Sequence, residues 1–290
     1  MTLRYQGVME LTILGSGGCM VIPKPLCECR VCEEARIRGI PFSRSGPSFF
    51  VHDVSLLIDT PAEVASQLNR AGIKAVNYLL LTHLDPDHVE GLRVVEQITL
   101  DFRIWKAYPD KRIRLLAPRG IRERIGKICS SYGPLIDFYV EQGFLEIVPF
   151  EEVVTIGDVE ITAVPIDRGV QWVYVYVLAS GGRRVVCAPC DIKPFPEERP
   201  DVQAPDLLLI QPGIFETGLK HGFVYPENHV SRSTLYTFDE TTALARRIGA
   251  RETVFVHLEE YWNRSHTDYQ RLEKGLDHMA FSYDGMRLHV

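Results

Sequence analysis

The chain has 290 residues, 46% of them hydrophobic, and a formal net charge of −6; that is enough for one large α/β unit with a sizeable core. The acidic balance gives no field that would favour nucleic acid or an anionic membrane. No apolar run approaches the roughly 18 residues of a membrane-spanning helix, and the opening Met1-Thr2-Leu3-Arg4-Tyr5-Gln6 lacks the apolar core of a signal peptide, so a cytoplasmic protein is expected.

In chain order, Leu11-Thr12-Ile13-Leu14 reads as a strand that ends in Gly15-Ser16-Gly17-Gly18. Residues 48–52 and 54–59 read as a hairpin, 61–71 as a helix, 76–82 as a strand and 87–98 as a helix. A strand at 113–117 and a helix at 118–130 follow. From 144 to 188 the pattern is almost entirely strand, with "DLLLIQ" at 206–211 as one more. A helix at 238–249, the strand "ETVFVH", a helix near 266–278 and a last hairpin across Asp284-Gly285 complete the chain. Strands in two batches, each followed by helices, predict two sheets face to face with helices outside, an αββα sandwich. The Pro-rich stretch 193–204 is short enough to be a surface loop, so residues 1–290 are expected to form a single domain.

The chemistry concentrates in two places. "LLLTHLDPDHVEGL", residues 79–92, crowds His83, Asp85, Asp87 and His88 where a buried strand stops. Strand-end loops carry function in α/β folds, and imidazoles with carboxylates suit zinc, iron or manganese. An acidic helix start with Asp85 or Asp87 as cap is the plainer alternative. The second place is the cysteines. There are seven, and Cys27, Cys29 and Cys32 fall within six residues, which in a reducing compartment points to metal rather than to disulfides. Three thiolates need a fourth ligand to close a tetrahedral structural site.

Thr82-His83-Leu84-Asp85-Pro86-Asp87-His88 resembles the T-H-x-H-x-D-H motif of the metallo-β-lactamase superfamily. Further landmarks follow the family's order: "SLLIDTP" with Asp59, "VVCAPCD" with Asp191, and "ETVFVH" with His257. "GSGGCMVIPKPLCECRVCEEAR" resembles the zinc loop of the PhnP-like branch, about 19–38 here, and a similar loop occurs in the pyrroloquinoline-quinone biosynthesis branch. The resemblance implies the αββα fold with a metal centre at one edge, and one structural zinc on Cys27, Cys29 and Cys32. The branch's fourth ligand, a histidine, corresponds to Glu260; Cys19 and His266 are the other candidates. It also implies one metal position from Asp87, His88, Asp191 and His257, and a second from His83, Asp85 and Asp191.

The chain departs from the pattern in three ways. Asp85 replaces a histidine, which shifts metal preference towards harder ions. The histidine expected after "VEITAVP" is absent, and Asp167 or Arg168 stands there; a guanidinium cannot bind a cation, so Arg168 is expected to fill the space of the metal at the His83–Asp85–Asp191 position, paired with Asp85, or to hold a phosphate. The acid histidine of phosphodiesterase members is also absent, leaving Tyr236 as a candidate proton donor and His221 and His229 as loop alternatives. Among weaker candidates, Gly15–Gly18 could cradle an anion. Cys187 reads as core, while Cys190 could touch the metal, and Arg44, Arg232 and Lys220 could bind an anionic substrate.

These features lead to the expectation of a metal-dependent phosphodiesterase acting on a small cyclic or diester phosphate. One or two active-site divalent ions (zinc, manganese or iron) would activate a water that Asp87 or Asp85 orients. The alternatives are a metal-binding accessory protein without hydrolysis, or an iron or manganese redox protein. The expected partner is a small phosphorylated substrate; nucleic acid and membrane are not expected, and a homodimer is left open.

Overall fold

The computed structural model describes residues 9–169 and 172–290. The N-terminal stretch Met1–Gln6 lies outside the described residues. Of the strands in the two large sheets, six come first: β1 (Glu10–Gly15), β2 (Ser48–Val51), β3 (Leu56–Ile58), β4 (Tyr78–Leu80), β5 (Ile113–Pro118) and β6 (Leu145–Phe150). Seven more follow: β7 (Val153–Ile156), β8 (Val159–Asp167), β9 (Trp172–Ser180), β10 (Arg183–Ala188), β11 (Leu207–Ile210), β12 (Glu252–Phe255) and β13 (Met279–Phe281). The last is β14 (Met286–His289). One sheet runs β6-β5-β4-β3-β2-β1-β14 and the other β7-β8-β9-β10-β11-β12-β13. Each sheet is half parallel, from β3 to β6 in the first and from β10 to β13 in the second.

Period-two alternation explains the layering. Along β9, Tyr174, Tyr176 and Leu178 join the core between the sheets, whereas Val173, Val175 and Val177 join the core beneath the outer helices; successive side chains of a strand face opposite ways. The expected 48–59 hairpin forms, with β2 and β3 antiparallel. The helix expected at 61–71 occupies Val64–Ala71, turns Val64 and Leu68 inward, and ends on Gly72 at φ 68, a left-handed stop that glycine takes at no steric cost. The helix Phe238–Arg247 opens with a capping box between Thr237 and Glu240.

Three expectations fail locally. The helix expected over 87–98 is broken into Pro86–Val89, a 3-10 turn at Glu90–Arg93 and Val94–Thr99. The helix expected at 118–130 is a single turn, Arg119–Arg122. The strands flanking Asp284-Gly285 are not a hairpin: β13 ends one sheet and β14 ends the other. The turn between them is pinned by the buried Asp284 carboxylate, which accepts from the amides of Ser16 and Ser45, at 2.9 Å each. Among the described residues, no helix is long and apolar enough to cross a membrane.

The sheets are clasped at the end where the parallel strands finish. Leu258 N–H donates to Ser16 O at 2.9 Å, and Gly18 N–H donates to Leu258 O at 3.1 Å. A Cβ on Gly18 would lie 2.2 Å from a Glu259 carboxylate oxygen, so this glycine permits a close approach between chain segments, and the run Gly15–Gly18 is accounted for by packing. Tyr174 N–H and the Tyr176 hydroxyl reach across to the carbonyls of Thr82 and Leu81. Asp59, Thr82, Cys190, Gln211 and His257 thereby arrive together at the carboxyl ends of β3, β4, β10, β11 and β12, the edge where open α/β sheets place ligand sites.

Candidate metal centre

Asp59 organises the centre from below. It is fully buried, with φ 63. One carboxylate oxygen accepts from Thr82 N–H at 2.8 Å; the other accepts from the Thr82 hydroxyl at 2.8 Å and lies 2.8 Å from His88 Nδ1. An ionised carboxylate only accepts, so His88 carries its proton on Nδ1 and leaves Nε2 bare. Because Thr82 Oγ1 spends its hydrogen on Asp59, its 3.0 Å contact with His83 Nδ1 needs His83 as donor, which bares His83 Nε2 as well. His257 Nδ1 lies 3.1 Å from Glu259 Oε1, an acceptor that fixes a third imidazole the same way; the Gln211 side-chain nitrogen is placed 3.1 Å from the same Nδ1, and turning that amide over brings its otherwise unpartnered oxygen there as a second acceptor.

The bare atoms converge. His88 Nε2 and His257 Nε2 are 3.3 Å apart, and Asp87 Oδ2 is 3.4 Å from the first and 3.3 Å from the second. Tetrahedral ligation at about 2.0–2.1 Å spaces ligand atoms by about 3.3–3.4 Å, so one ion fits this triangle. His83, Asp85 and Asp191 form a neighbouring set, and His83, His88 and Cys190 form another. Lone pairs aimed at one point repel unless a cation, a proton or a metal ion, sits among them. The electrostatics agree: burial would lower His88, but Asp59 and Asp87 hold it well above the ordinary imidazole range. Burial likewise opposes a charged His257, which Cys190 and Asp87 hold high. Asp87, raised by burial, is brought far below the carboxylate range by His257 and His88. Burial pushes the Cys190 thiol up, yet the charge of His257 and contact with the three imidazoles bring it to about 6.

The cysteine cluster is a second, separate donor set. Cys29 caps the helix Arg30–Arg38, whose first turn carries Cys32 inward. Glu260 Oε1 stands 3.5, 3.5 and 3.4 Å from the sulfurs of Cys27, Cys29 and Cys32, so the structure brings the four expected residues together. The other candidates are placed elsewhere: Cys19 Sγ contacts Glu259 at 3.3 Å, and His266 packs edge-on against Phe42. Lys220 hydrogen-bonds Glu260 and lies 3.0 Å from Cys27 Sγ. Its ammonium lowers the Cys27 thiol and, against burial, holds Glu260 down. Three thiolates and a carboxylate outweigh the charge of any divalent ion, and Lys220 offsets part of that excess.

Residues 55–258 match the model of the β-lactamase superfamily domain. The chain belongs to the metallo-β-lactamase superfamily. No curated protein matches it in sequence. Among solved structures, it is similar to a diphosphatase of the PhnP family, at 22% identity and a TM-score of 0.73, with 98% of this chain and 97% of that one covered. Zinc-bound PqqB from Methylobacterium extorquens is similar at 18% identity, TM-score 0.72 and coverage of 97% and 99%. The short form of human tRNase Z is similar at 15%, TM-score 0.61 and coverage of 97% and 98%. These likenesses show a shared fold. Members of this superfamily bind divalent metals such as zinc, and the donor sets described above fit such ions.

Within this superfamily member, several residues sit differently from expectation. Asp191 joins His83 and Asp85 rather than the Asp87–His88–His257 triangle, and Cys190 takes the place beside His88. Arg168 does not occupy a metal position: from the end of β8 its guanidinium reaches the carbonyls of Lys193 at 2.7 Å and Asp191 at 3.3 Å. The Tyr236 hydroxyl accepts from Phe195 N–H at 2.9 Å, so it braces the same 190s segment. Arg44 is a buried strut that donates to Ser16 Oγ at 2.9 Å, and Arg232 pairs with Glu216 at 2.7 Å. His229 caps a short 3-10 turn, and His221 is exposed. Asp59 was legible as a family landmark. Thr82, Gln211 and Glu259 were not, since their part is to orient imidazoles that come from distant strands.

Proposed function

We propose that this protein is a metal-dependent hydrolase of phosphoesters, acting on a small phosphodiester or diphosphate. The observation that carries the reading is the convergence of three buried imidazoles, each held with Nε2 bare, on half-buried carboxylates. When bound, a divalent ion polarises a phosphoryl oxygen and lowers the pKa of a bound water. Asp87, His88 and His257 would hold the better-built position; His83, Asp85 and Asp191 would hold a second ion or orient the attacking water. Asp59, Thr82 and Glu259 keep the imidazoles in the ligating tautomer.

A cleft of about 330 Å³ opens beside Asp87, lined by Cys19, Met20, Pro61, Glu63 and Glu90, a volume that suits a small molecule. Its carboxylates repel a bare phosphate, so substrate charge has to be met at the metal centre. Two similar structures, a PhnP-family diphosphatase and a tRNase Z, carry names that point to phosphorus–oxygen bonds, which supports this substrate class. The cysteine cluster with Glu260 serves as a structural zinc site. A different reading, a metal protein without hydrolysis, draws on Arg168 and Tyr236 being engaged with the backbone instead of facing the centre.

The test is turnover of a chromogenic phosphodiester and of a diphosphate by metal-loaded wild type and His88→Ala. Hydrolysis that depends on added metal and disappears in His88→Ala is expected. Metal-loaded wild type that turns over neither substrate would refute the assignment and leave the non-hydrolytic reading.

A further inference from the structure

We propose that Cys190 is a thiolate ligand placed between the two metal positions, and that it makes the centre select zinc over manganese. This rests on the metal-centre reading above and goes beyond its imidazole and carboxylate ligands.

Three observations carry it. First, the donor atoms of His83, His88 and Cys190 lie within 4.8 Å of one another, and all three residues are buried. His88 also belongs to the triangle with Asp87 and His257, while His83 also belongs to the set with Asp85 and Asp191. The rings of His83 and His88 are 4.0 Å apart between centroids. A sulfur grouped with one imidazole from each set is placed to reach both ions. Second, Cys190 is buried without belonging to an apolar core. Cys187, three residues earlier, packs in the core between the sheets, whereas Cys190 is in none of the three hydrophobic clusters. Its neighbours are imidazole nitrogens whose Nδ1 atoms are engaged elsewhere, so that Nε2 faces the sulfur; a thiol has one hydrogen and could satisfy only one of them, so the group calls for further protons or a metal ion. Third, the backbone turns so that neighbouring side chains converge. Successive residues of an extended strand face opposite ways, but Asp191 has φ 53, and both it and Cys190 reach the same centre.

The chemistry follows from softness. Binding releases the thiol proton to solvent and forms a sulfur–metal bond. Thiolate favours zinc, whereas carboxylate and water suit manganese. The carboxylate at Asp85 therefore does not decide metal choice; the Cys190 sulfur does.

The test uses Cys190→Ser, which keeps the volume and replaces sulfur by oxygen, with Cys187→Ser as control. Cobalt(II) is loaded into the wild type and both variants. The Cys27–Cys29–Cys32 cluster absorbs in the same near-ultraviolet region, so the quantity read is the difference between wild type and variant. The expected result is loss of thiolate-to-cobalt charge-transfer absorption in Cys190→Ser, with the visible bands of active-site cobalt retained, and no change in Cys187→Ser. The preference for zinc over manganese in competition should fall by roughly tenfold or more. Identical near-ultraviolet spectra and an unchanged preference would overturn the role of Cys190 alone. Absence in wild type of any visible cobalt band that depends on His88 would overturn the metal centre itself, and this inference with it.

Discussion

Replacing Asp59 by Asn should cripple the metal centre without touching a ligand. In the wild type, one carboxylate oxygen receives both the Thr82 hydroxyl and His88 Nδ1, at 2.8 Å each. The isosteric amide keeps an acceptor for Thr82 N–H but turns a donor towards these two groups. His88 Nδ1 must then accept, which moves its proton to Nε2. Thr82 Oγ1, now an acceptor towards residue 59, can donate to His83 Nδ1, which moves that proton to Nε2 too. One substitution thus points two N–H groups at the ion. Loss of a single outer partner of a ligating histidine costs about 10–100-fold in metal affinity. With two imidazoles flipped, the upper end applies, about 100-fold or roughly 2.8 kcal/mol at 1.4 kcal/mol per tenfold. Competition with a chromogenic chelator measures the affinity, and nitrogen chemical shifts of the imidazoles report the tautomers. An Asp59→Asn protein that stays folded and binds active-site metal within about threefold of wild type would show that the tautomer argument is wrong.

His257→Ala should lose most active-site metal while the cysteine cluster keeps its own, because it removes one corner of the triangle with His88 and Asp87; elemental analysis decides, and full retention would reassign the ligands. Cys29→Ser should lower Tm by roughly 5–10 °C, from about 2–3 kcal/mol at 2–4 °C per kcal/mol, with active-site metal unchanged, as calorimetry with metal counting would show. The metal-free protein should be most stable below the unfolded-state imidazole pKa of about 6.5 and lose stability as pH rises through the raised folded values of His88 and His257. Metal binding should have the opposite dependence, weakening as pH falls because protons compete for Nε2. Denaturation curves across pH, with and without chelator, would show whether the two trends cross.

The fold was legible because its signals are local and repeat along the chain. The run Tyr78–Leu81 ending in Thr82-His83 announces a buried parallel strand with a functional loop, and the alternation along β9 sorts its residues between two cores. The cysteine spacing likewise identified Cys27, Cys29 and Cys32, and the corresponding position gave Glu260. What stayed hidden depends on tertiary geometry. Asp284-Gly285 is a turn by composition, but nothing local says that its flanking strands part to different sheets. The 118–130 pattern suits a helix, yet tertiary context left one turn of it. Neither the left-handed backbone of Asp191 nor the reach of Arg168 to the carbonyls of residues 191 and 193 has a signature in the sequence, and both decide which side chains meet in the centre.

Those two features are linked. Arg168 stands where the resemblance implies a metal-binding histidine, yet its guanidinium donates to the carbonyl of Asp191 itself and to that of Lys193. Tyr236 accepts from Phe195 N–H in the same segment. The side chain that replaces a ligand thus braces the backbone beside two others, Cys190 and Asp191. The exchange makes the centre unequal. The position built from Asp87, His88 and His257 has two imidazoles and one carboxylate and is supported by buried Asp59 and Glu259, while the proposed Cys190 thiolate would serve both positions. The position built from His83, Asp85 and Asp191 has one imidazole and two half-buried carboxylates. Soft donors and dry surroundings hold zinc tightly, whereas carboxylates near solvent hold a harder ion loosely. On this argument the first position retains its ion through purification, and the second fills only when water or a substrate oxygen completes its coordination.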